Sequence, residues 1–454
     1  MTESFFSKYF GFMKGTSRSD KAKKHIIYLI ITYSFNFILI LLLVPVSLRC
    51  LSSSEYGIWL TLTSITAWFV SLDFGIGNGL RNKLSEALAA DDLETGRIYI
   101  STAYAYLTLF FGFIYILFLF VYPHLNWLKI FNTSTELGNT LPTLVLIVFS
   151  LFFLNFILKL VTAIPLADQK PALNGLFNFL NNLFTVSAIY LLSFTEHANL
   201  LNLGIISSLM PALVYSIASI IFFNGSYKRI RPSLRFVKST YSRKLLTLGF
   251  RFFIIQIASI IIFTTDNLII TQIFTPADVT IYNIAFKYFN TIVLVFGVIL
   301  TPFWSAFTEA HAENDFAWIK NVIRQLLRIW GVFVGIALII LVVSQPIYRI
   351  WVGSEIQIPR MLSILMMVFA VISMWNNIFA NFLNGVGKIQ LQLYTAVTIG
   401  IVNIPLSIFF ARHLQLGVSG VILATIVCLL PSALWSPIQY RKIVNQKARG
   451  IWNK

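Results

Sequence analysis

Stretches of about twenty mostly apolar residues recur along the whole chain, at 26–48, 57–77, 98–121, 141–163, 174–193, 201–223, 247–272, 281–304, 328–350, 361–383, 391–411 and 418–440. A helix needs about 20 such residues to cross the hydrocarbon core of a bilayer. The strands of a membrane barrel are shorter and alternate between apolar and polar positions. The pattern therefore predicts an all-α membrane protein with about twelve transmembrane helices. Polar residues collect between the blocks, where turns and headgroups are expected.

Composition agrees with the pattern. Of the 454 residues, 57% are hydrophobic and only 11% are charged, against about 25% charged in soluble domains. The net charge of +17 raises the question of nucleic acid, but its distribution gives a different answer. Of the 34 Lys and Arg residues, 27 fall on one set of alternate loops and the two ends, and two, Lys159 and Lys287, lie within spans. The other 5 (Arg49, Lys129, Arg349, Arg360 and Arg412) fall on the opposite loops. That asymmetry follows the positive-inside rule, so both termini are expected in the cytoplasm and no nucleic-acid partner is expected. The excess charge orients the chain and meets anionic membrane lipids. No cleavable signal is visible in the first residues. Phe5, Phe6, Tyr9, Phe10, Phe12 and Met13, with Lys8 and Lys14, suit an interfacial helix. Two cysteines, Cys50 and Cys428, do not make a disulfide framework.

The chain repeats itself weakly. Glu55-Tyr56-Gly57 is answered by Ile281-Tyr282-Asn283, Ser85-Glu86-Ala87 by Thr308-Glu309-Ala310, and Gln169-Lys170-Pro171 by Gly387-Lys388-Ile389. The offsets are 282 − 56 = 226, 309 − 86 = 223 and 388 − 170 = 218. Two like-oriented six-helix bundles around a central cavity are expected, the parallel-repeat plan of many transporters. The domains would be a cytoplasmic segment 1–25, a first bundle 26–223, a basic linker 224–246, a second bundle 247–440 and a basic tail 441–454. The linker carries Lys228, Arg229, Arg231, Arg235, Lys238, Arg243 and Lys244 and reads as a plain solvated connection. Pro45, Pro211, Pro302, Pro405 and Pro431 lie inside spans and are candidate bending points.

Ionisable side chains within a bilayer are costly and are commonly functional or paired. Asp73 and Lys159 lie about one turn from the cytoplasmic end of their spans. Asp266 and Lys287 lie within roughly 10 Å of the outer surface, at 1.5 Å per residue. Each couple is expected as an ion pair by depth. The alternatives are that Lys159 snorkels to the headgroups, or that the lysines face the cavity and hold an anion while the aspartates tune them or carry a coupling ion. Arg49 and Arg251 complete the set of charges near span ends. Between Asp73 and Lys83, Gly75, Gly77 and Gly79 alternate. Each glycine weakens a helix by up to ~1 kcal/mol relative to alanine, so the segment reads either as a gate that bends or as a closely packed helix end. No phosphate-binding glycine loop of the nucleotidase type is present, and the five histidines have no metal-ligand spacing. The outer loops are short, which argues for transport over chemistry: no catalytic residue, cofactor or metal is expected.

Tyr56-Gly57-Ile58-Trp59, the run from Ser71 through Asp73, Gly75, Gly77, Gly79 and Arg81 to Lys83, and Asp266-Asn267-Leu268-Ile269-Ile270 with Tyr282-Asn283-Ile284-Ala285 resemble one known group. They look like the O-antigen and polysaccharide repeat-unit flippases of the multidrug/oligosaccharidyl-lipid/polysaccharide exporter superfamily. The resemblance implies a bacterial inner-membrane protein that moves an undecaprenyl-diphosphate-linked oligosaccharide from the cytoplasmic to the periplasmic leaflet by alternating access. Contacts with polysaccharide polymerase and chain-length machinery, and an H⁺ or Na⁺ coupling ion, are in keeping with it. A diphosphate would be met by Arg49, Arg81, Lys83, Lys159, Arg251 and Lys287. Asn155, Asn174, Asn178, Asn181 and Asn182 would line half one for sugars, or else pack against another helix; the last four share a helix face by i, i+3 and i, i+4 spacing. Asp73 and Asp266, with Gly75, Gly77 and Gly79, are candidates for coupling or gating. The rival is a cation-coupled multidrug or small-molecule exporter of the same superfamily, which would favour acidic residues in the cavity.

Overall fold

Long apolar runs become long helices. The structure, a computed structural model, describes residues 35–69, 76–133, 137–168, 170–241, 265–300 and 303–453. The first ten helices are α1 (Phe35–Cys50), α2 (Ser53–Phe69), α3 (Ile76–Ala89), α4 (Leu93–Val121), α5 (Trp127–Ile130), α6 (Thr140–Leu158), α7 (Ala163–Ala167), α8 (Pro171–Leu192), α9 (Leu200–Asn224) and α10 (265–273). Then come α11 (Pro276–Leu300), α12 (Phe303–Ala312), α13 (Phe316–Val342), α14 (Ser344–Val352), α15 (Arg360–Gly385), α16 (Gln390–Ile408) and α17 (Val418–Val444). The described residues form no strand. Among them, nine helical segments are long and apolar enough to cross a membrane. The stretches expected at 26–48, 57–77 and 247–272 are described only in part, as α1, α2 and α10. The interfacial segment 1–25 and the residues Asp73, Gly75 and Arg251 lie outside those residues.

Helix starts follow local chemistry. Asp92, Asn126, Asn199 and Asp315 each accept a bond from the backbone N–H three residues on, satisfying donors that the first turn leaves free. Prolines inside spans free a carbonyl four residues earlier, and in two cases a tryptophan supplies the missing donor. Pro45 frees Leu41, whose carbonyl accepts the Trp351 indole at 3.1 Å. Pro437 frees Ala433, whose carbonyl accepts the Trp375 indole at 3.0 Å. Pro211 does not end α9, which runs on to Asn224.

Packing falls into two sets. In the first, α9 lies against α6 and α8, α4 against α3 and α6, and α3 against α7. Phe118 and Phe149 stack at 4.7 Å, Phe111 and Phe156 sit at 4.2 Å, and Phe69 closes on Phe149 at 5.7 Å. In the second set α15 is central, contacting α11, α12, α13 and α17, while α16 packs on α17. Its core is built on Phe296, Phe307, Met374, Phe379 and Phe382. A Cβ on Gly420 would stand 2.6 Å from the Ala411 nitrogen, so only glycine lets α17 approach the π-helical turn Phe409–His413 so closely.

Three expectations change. The loops expected at 78–97 and 305–328 contain the helices α3 and α12. The span expected at 328–350 is two helices: α13 starts at Phe316, with exposed Lys320 and Arg324 beyond the apolar stretch, and α14 follows. The described part of the basic linker is not a free connection. Arg97 donates to the Arg231 carbonyl at 2.9 Å and lies 4.1 Å over the Phe236 ring. The hydroxyls of Ser101 and Thr102 accept from the N–H groups of Ser233 and Lys238. These bonds strap the linker along α4. Lys228, Arg229, Arg231, Arg235 and Lys238 remain exposed.

Candidate functional site

The two helix sets meet most extensively where α2 crosses α11. Both helices start with the same device. The Glu55 carboxylate accepts from the N–H and hydroxyl of Ser52, and the Ser52 hydroxyl accepts from the Glu55 N–H. Asp278 and Thr275 repeat the arrangement, with 275 − 52 = 278 − 55 = 223. These reciprocal bonds are a capping box. The crossing itself repeats at that offset. A Cβ on Gly57 would overlap the Pro276 carbonyl oxygen and stand 2.5 Å from its carbon. At the corresponding positions, the Thr280 hydroxyl donates to the Ser53 carbonyl at 2.6 Å.

Further along, the seam is held by uncharged polar groups. Thr61 and Thr271 hydroxyls lie 2.7 Å apart. The Asn267 amide donates to Ser64 at 2.7 Å and accepts from Asn283 at 2.6 Å. At the seam's end, Asn132 donates to the carbonyls of Thr271 and Phe274, and Gln272 donates to those of Lys129 and Ile130.

Lys287 and Asp266 both lie in this region, but not as an ion pair. The Lys287 ammonium donates to the Tyr56 hydroxyl at 3.0 Å and lies 5.6 Å from that ring. The Asp266 carboxyl accepts from the Tyr282 hydroxyl at 2.5 Å. Both members of that second pair are buried, and the other Asp266 oxygen has no partner among the described residues. The physical reason for the difference is reach. α11 begins at Pro276, so Lys287 sits about 17 Å along it at 1.5 Å per residue, and its flexible stem extends back toward the helix start. There it meets the phenol of the other helix set. No carboxylate is bonded to it among the described residues.

The remaining predicted residues scatter. Arg49 is exposed at the end of α1, 5.7 Å over the Tyr190 ring. Arg81 is exposed on α3, and Lys83 is bound to Glu86 at 2.6 Å. Lys159 is exposed where α6 tightens into a 3₁₀ turn; its proposed partner Asp73 lies outside the described residues. Gly77 and Gly79 fall within the first turn of α3. On α8, Asn174 and Asn178 are half-buried and Asn181 is buried. Asn182 bonds to Asn36, and Asn155 on α6 bonds to the Ser208 carbonyl. Part of the asparagine set therefore joins helices. Thr61, Ser64 and Thr271 were not singled out in the sequence, and Asn267 and Asn283 were named only within the resemblance motifs. The capping boxes Ser52–Glu55 and Thr275–Asp278 were the available signal, since they mark the crossing helices and their common offset.

A helical membrane protein with two helix sets meeting at a polar seam has the architecture of a membrane transporter. An inward-facing multidrug-resistance transporter of the MATE family superposes with a TM-score of 0.77 at 13% identity, covering 92% of this chain and all of its own. An outward-facing one gives 0.65 at 13% identity, covering 96% and 97%. The family model described as "Polysaccharide biosynthesis protein" matches residues 22–308, and the chain belongs to that family. A "Putative O-antigen export protein" of Yersinia pseudotuberculosis is 22% identical over 411 residues, spanning 89% of this chain and 92% of its own. A "Putative O-antigen transporter" of Salmonella typhi is 26% identical over 406 residues, spanning 87% and 90%.

Proposed function

We propose that this protein is a flippase that carries a polyprenyl-diphosphate-linked oligosaccharide repeat unit from the cytoplasmic to the opposite leaflet of a bacterial inner membrane, by alternating access between two six-helix halves. The observation that carries the reading is Lys287. It is a cation set in the seam between the halves, held by a phenol and not by a carboxylate among the described residues, in a chain whose relatives are named as a putative O-antigen export protein and a putative O-antigen transporter. A cation so placed is available to a diphosphate, and the neighbouring hydroxyls and amides offer donors and acceptors to sugars. Charge asymmetry puts both termini in the cytoplasm, so the Tyr56–Pro276 end faces outward and the seam closes that side. Access from the cytoplasm suits a cargo assembled there. A headgroup of charge −2 leaving a negative interior gains about 4.6 kcal/mol at 100 mV.

The experiment is complementation of a strain lacking the gene. The wild-type chain should restore surface polysaccharide; Lys287→Ala should be present in the membrane, fail to restore it, and leave lipid-linked single repeat units on the cytoplasmic face. Full restoration by Lys287→Ala would overturn the cationic-seam reading. The second reading, a cation-coupled small-molecule exporter, draws on the unpartnered, buried Asp266 oxygen. It predicts altered drug susceptibility and no accumulated lipid-linked units in the deletion strain.

A further inference from the structure

A groove of ≈350 Å³ opens between α1 and α8, lined by Leu42, Pro45, Val46, Arg49, Val186, Ser187 and Tyr190. Its walls are mostly apolar, with Ser187 among them, and at one edge the Arg49 guanidinium lies over the Tyr190 ring. Among the described residues no carboxylate pairs with Arg49. Leu42, Ser187 and Tyr190 are exposed, as is Leu191 beside them, so the groove is open at the surface of the helix set.

The second set has a counterpart. A groove of ≈410 Å³ between α10 and the α16–α17 turn is lined by Gln272, Phe274, Arg412 and Gln415 among others. At the capping-box offset Arg49 corresponds to position 272 (49 + 223), which lines this second groove. Each set therefore has a groove with one exposed arginine in its lining.

We propose that the Arg49 groove is a binding site for an anionic glycerophospholipid. The phosphate sits on the Arg49 guanidinium within reach of the Tyr190 hydroxyl, and one acyl chain lies along Leu42, Val46 and Val186. A planar guanidinium matches phosphate geometry, and tyrosine prefers the headgroup level. A long apolar wall behind a single cation suits an amphiphile and not a free anion. The inference needs only that the chain spans a membrane; it does not depend on the cargo. It moves Arg49 from the cargo-binding set to a lipid-binding groove.

The test is native mass spectrometry of the full-length, delipidated protein titrated with phosphatidylglycerol, with phosphatidylethanolamine as the comparison. Wild type should prefer phosphatidylglycerol. Arg49→Gln should weaken that binding about tenfold or more, the loss of a hydrogen bond to a charged group. Ser187→Trp, which fills the groove from an exposed position, should weaken both lipids. Arg349→Gln, removing an exposed arginine outside the groove, should bind as wild type; melting curves identify any variant that has not folded. Equal affinity for the two lipids, unchanged binding by both Arg49→Gln and Ser187→Trp, or an equal loss in Arg349→Gln would overturn the proposal. So would binding of polyprenyl diphosphate with no binding of phosphatidylglycerol. Failure of Lys287→Ala to block export would leave this site untouched.

Discussion

Gly57→Ala should open the seam. The new Cβ would overlap the Pro276 carbonyl oxygen and stand 2.5 Å from the carbonyl carbon, where ordinary contact begins at 3.4 Å. Both partners are backbone, so no side chain can turn away, and α2 and α11 must separate by well over 1 Å. Overpacking of this kind costs about 1–3 kcal/mol. The penalty falls on the closed arrangement alone, because helices that have parted do not meet the methyl group. At 1.4 kcal/mol per factor of ten, the closed-to-open ratio should fall about 5- to 150-fold. The assay is labelling of a cysteine at Asn283, which bonds to Asn267, itself bonded across the seam to Ser64, in a background where Cys50 and Cys428 are replaced. A membrane-impermeant maleimide applied from the outer side should react several-fold faster in Gly57→Ala than in the parent. Equal rates, with both proteins folded and in the membrane, would refute the reasoning that this backbone crossing closes the outer end.

Trp351→Phe should destabilise the protein by about 1–3 kcal/mol by orphaning the Leu41 carbonyl, read as a lower melting midpoint in detergent. Pro45→Ala in the same chain should recover part of the loss by restoring the helix's own donor, and strict additivity in that cycle would refute the pairing. Partial burial raises the Asp168 pKa, but the hydrogen bonds from Lys170 and Tyr227 and the Lys170 charge outweigh it, so it lies below the ordinary value. Its contribution to stability is therefore present above the unfolded-state pKa and lost as pH falls through the depressed one; wild type should lose more stability in acid than Asp168→Asn. Arg97→Ala should release the linker, making 228–238 cut faster by trypsin while the helices stay intact.

The class of fold was legible because a bilayer demands long apolar runs, and among the described residues nine of them reappear as helices. Helix starts were less legible. A hydropathy reading begins α11 at 281, whereas the Thr275–Asp278 box begins it at Pro276; caps are polar and lie outside the apolar window. The Asp266–Lys287 pair was inferred from depth alone. Depth says how far along a helix a charge lies, not which way a flexible lysine turns, and two tyrosines take the places of the expected partners. The hydroxyl and amide seam escaped notice because Thr, Ser and Asn inside spans have no period of their own. The linker looked solvated because its charges are exposed, yet its backbone is bonded to α4.

The tryptophan bond at Leu41 has a consequence for how the protein is made. Its donor lies 310 residues further along the chain. At about 5–20 residues per second, α1 enters the bilayer some 15–60 s before Trp351 is synthesised. For that interval the carbonyl freed by Pro45 has no final donor, and an unsatisfied group in hydrocarbon costs several kcal/mol. The first helix therefore waits for the second half before its backbone is complete. A chain truncated before Trp351 should leave α1 loosely held, accessible to quality-control proteases, however well the remainder of its own half has packed.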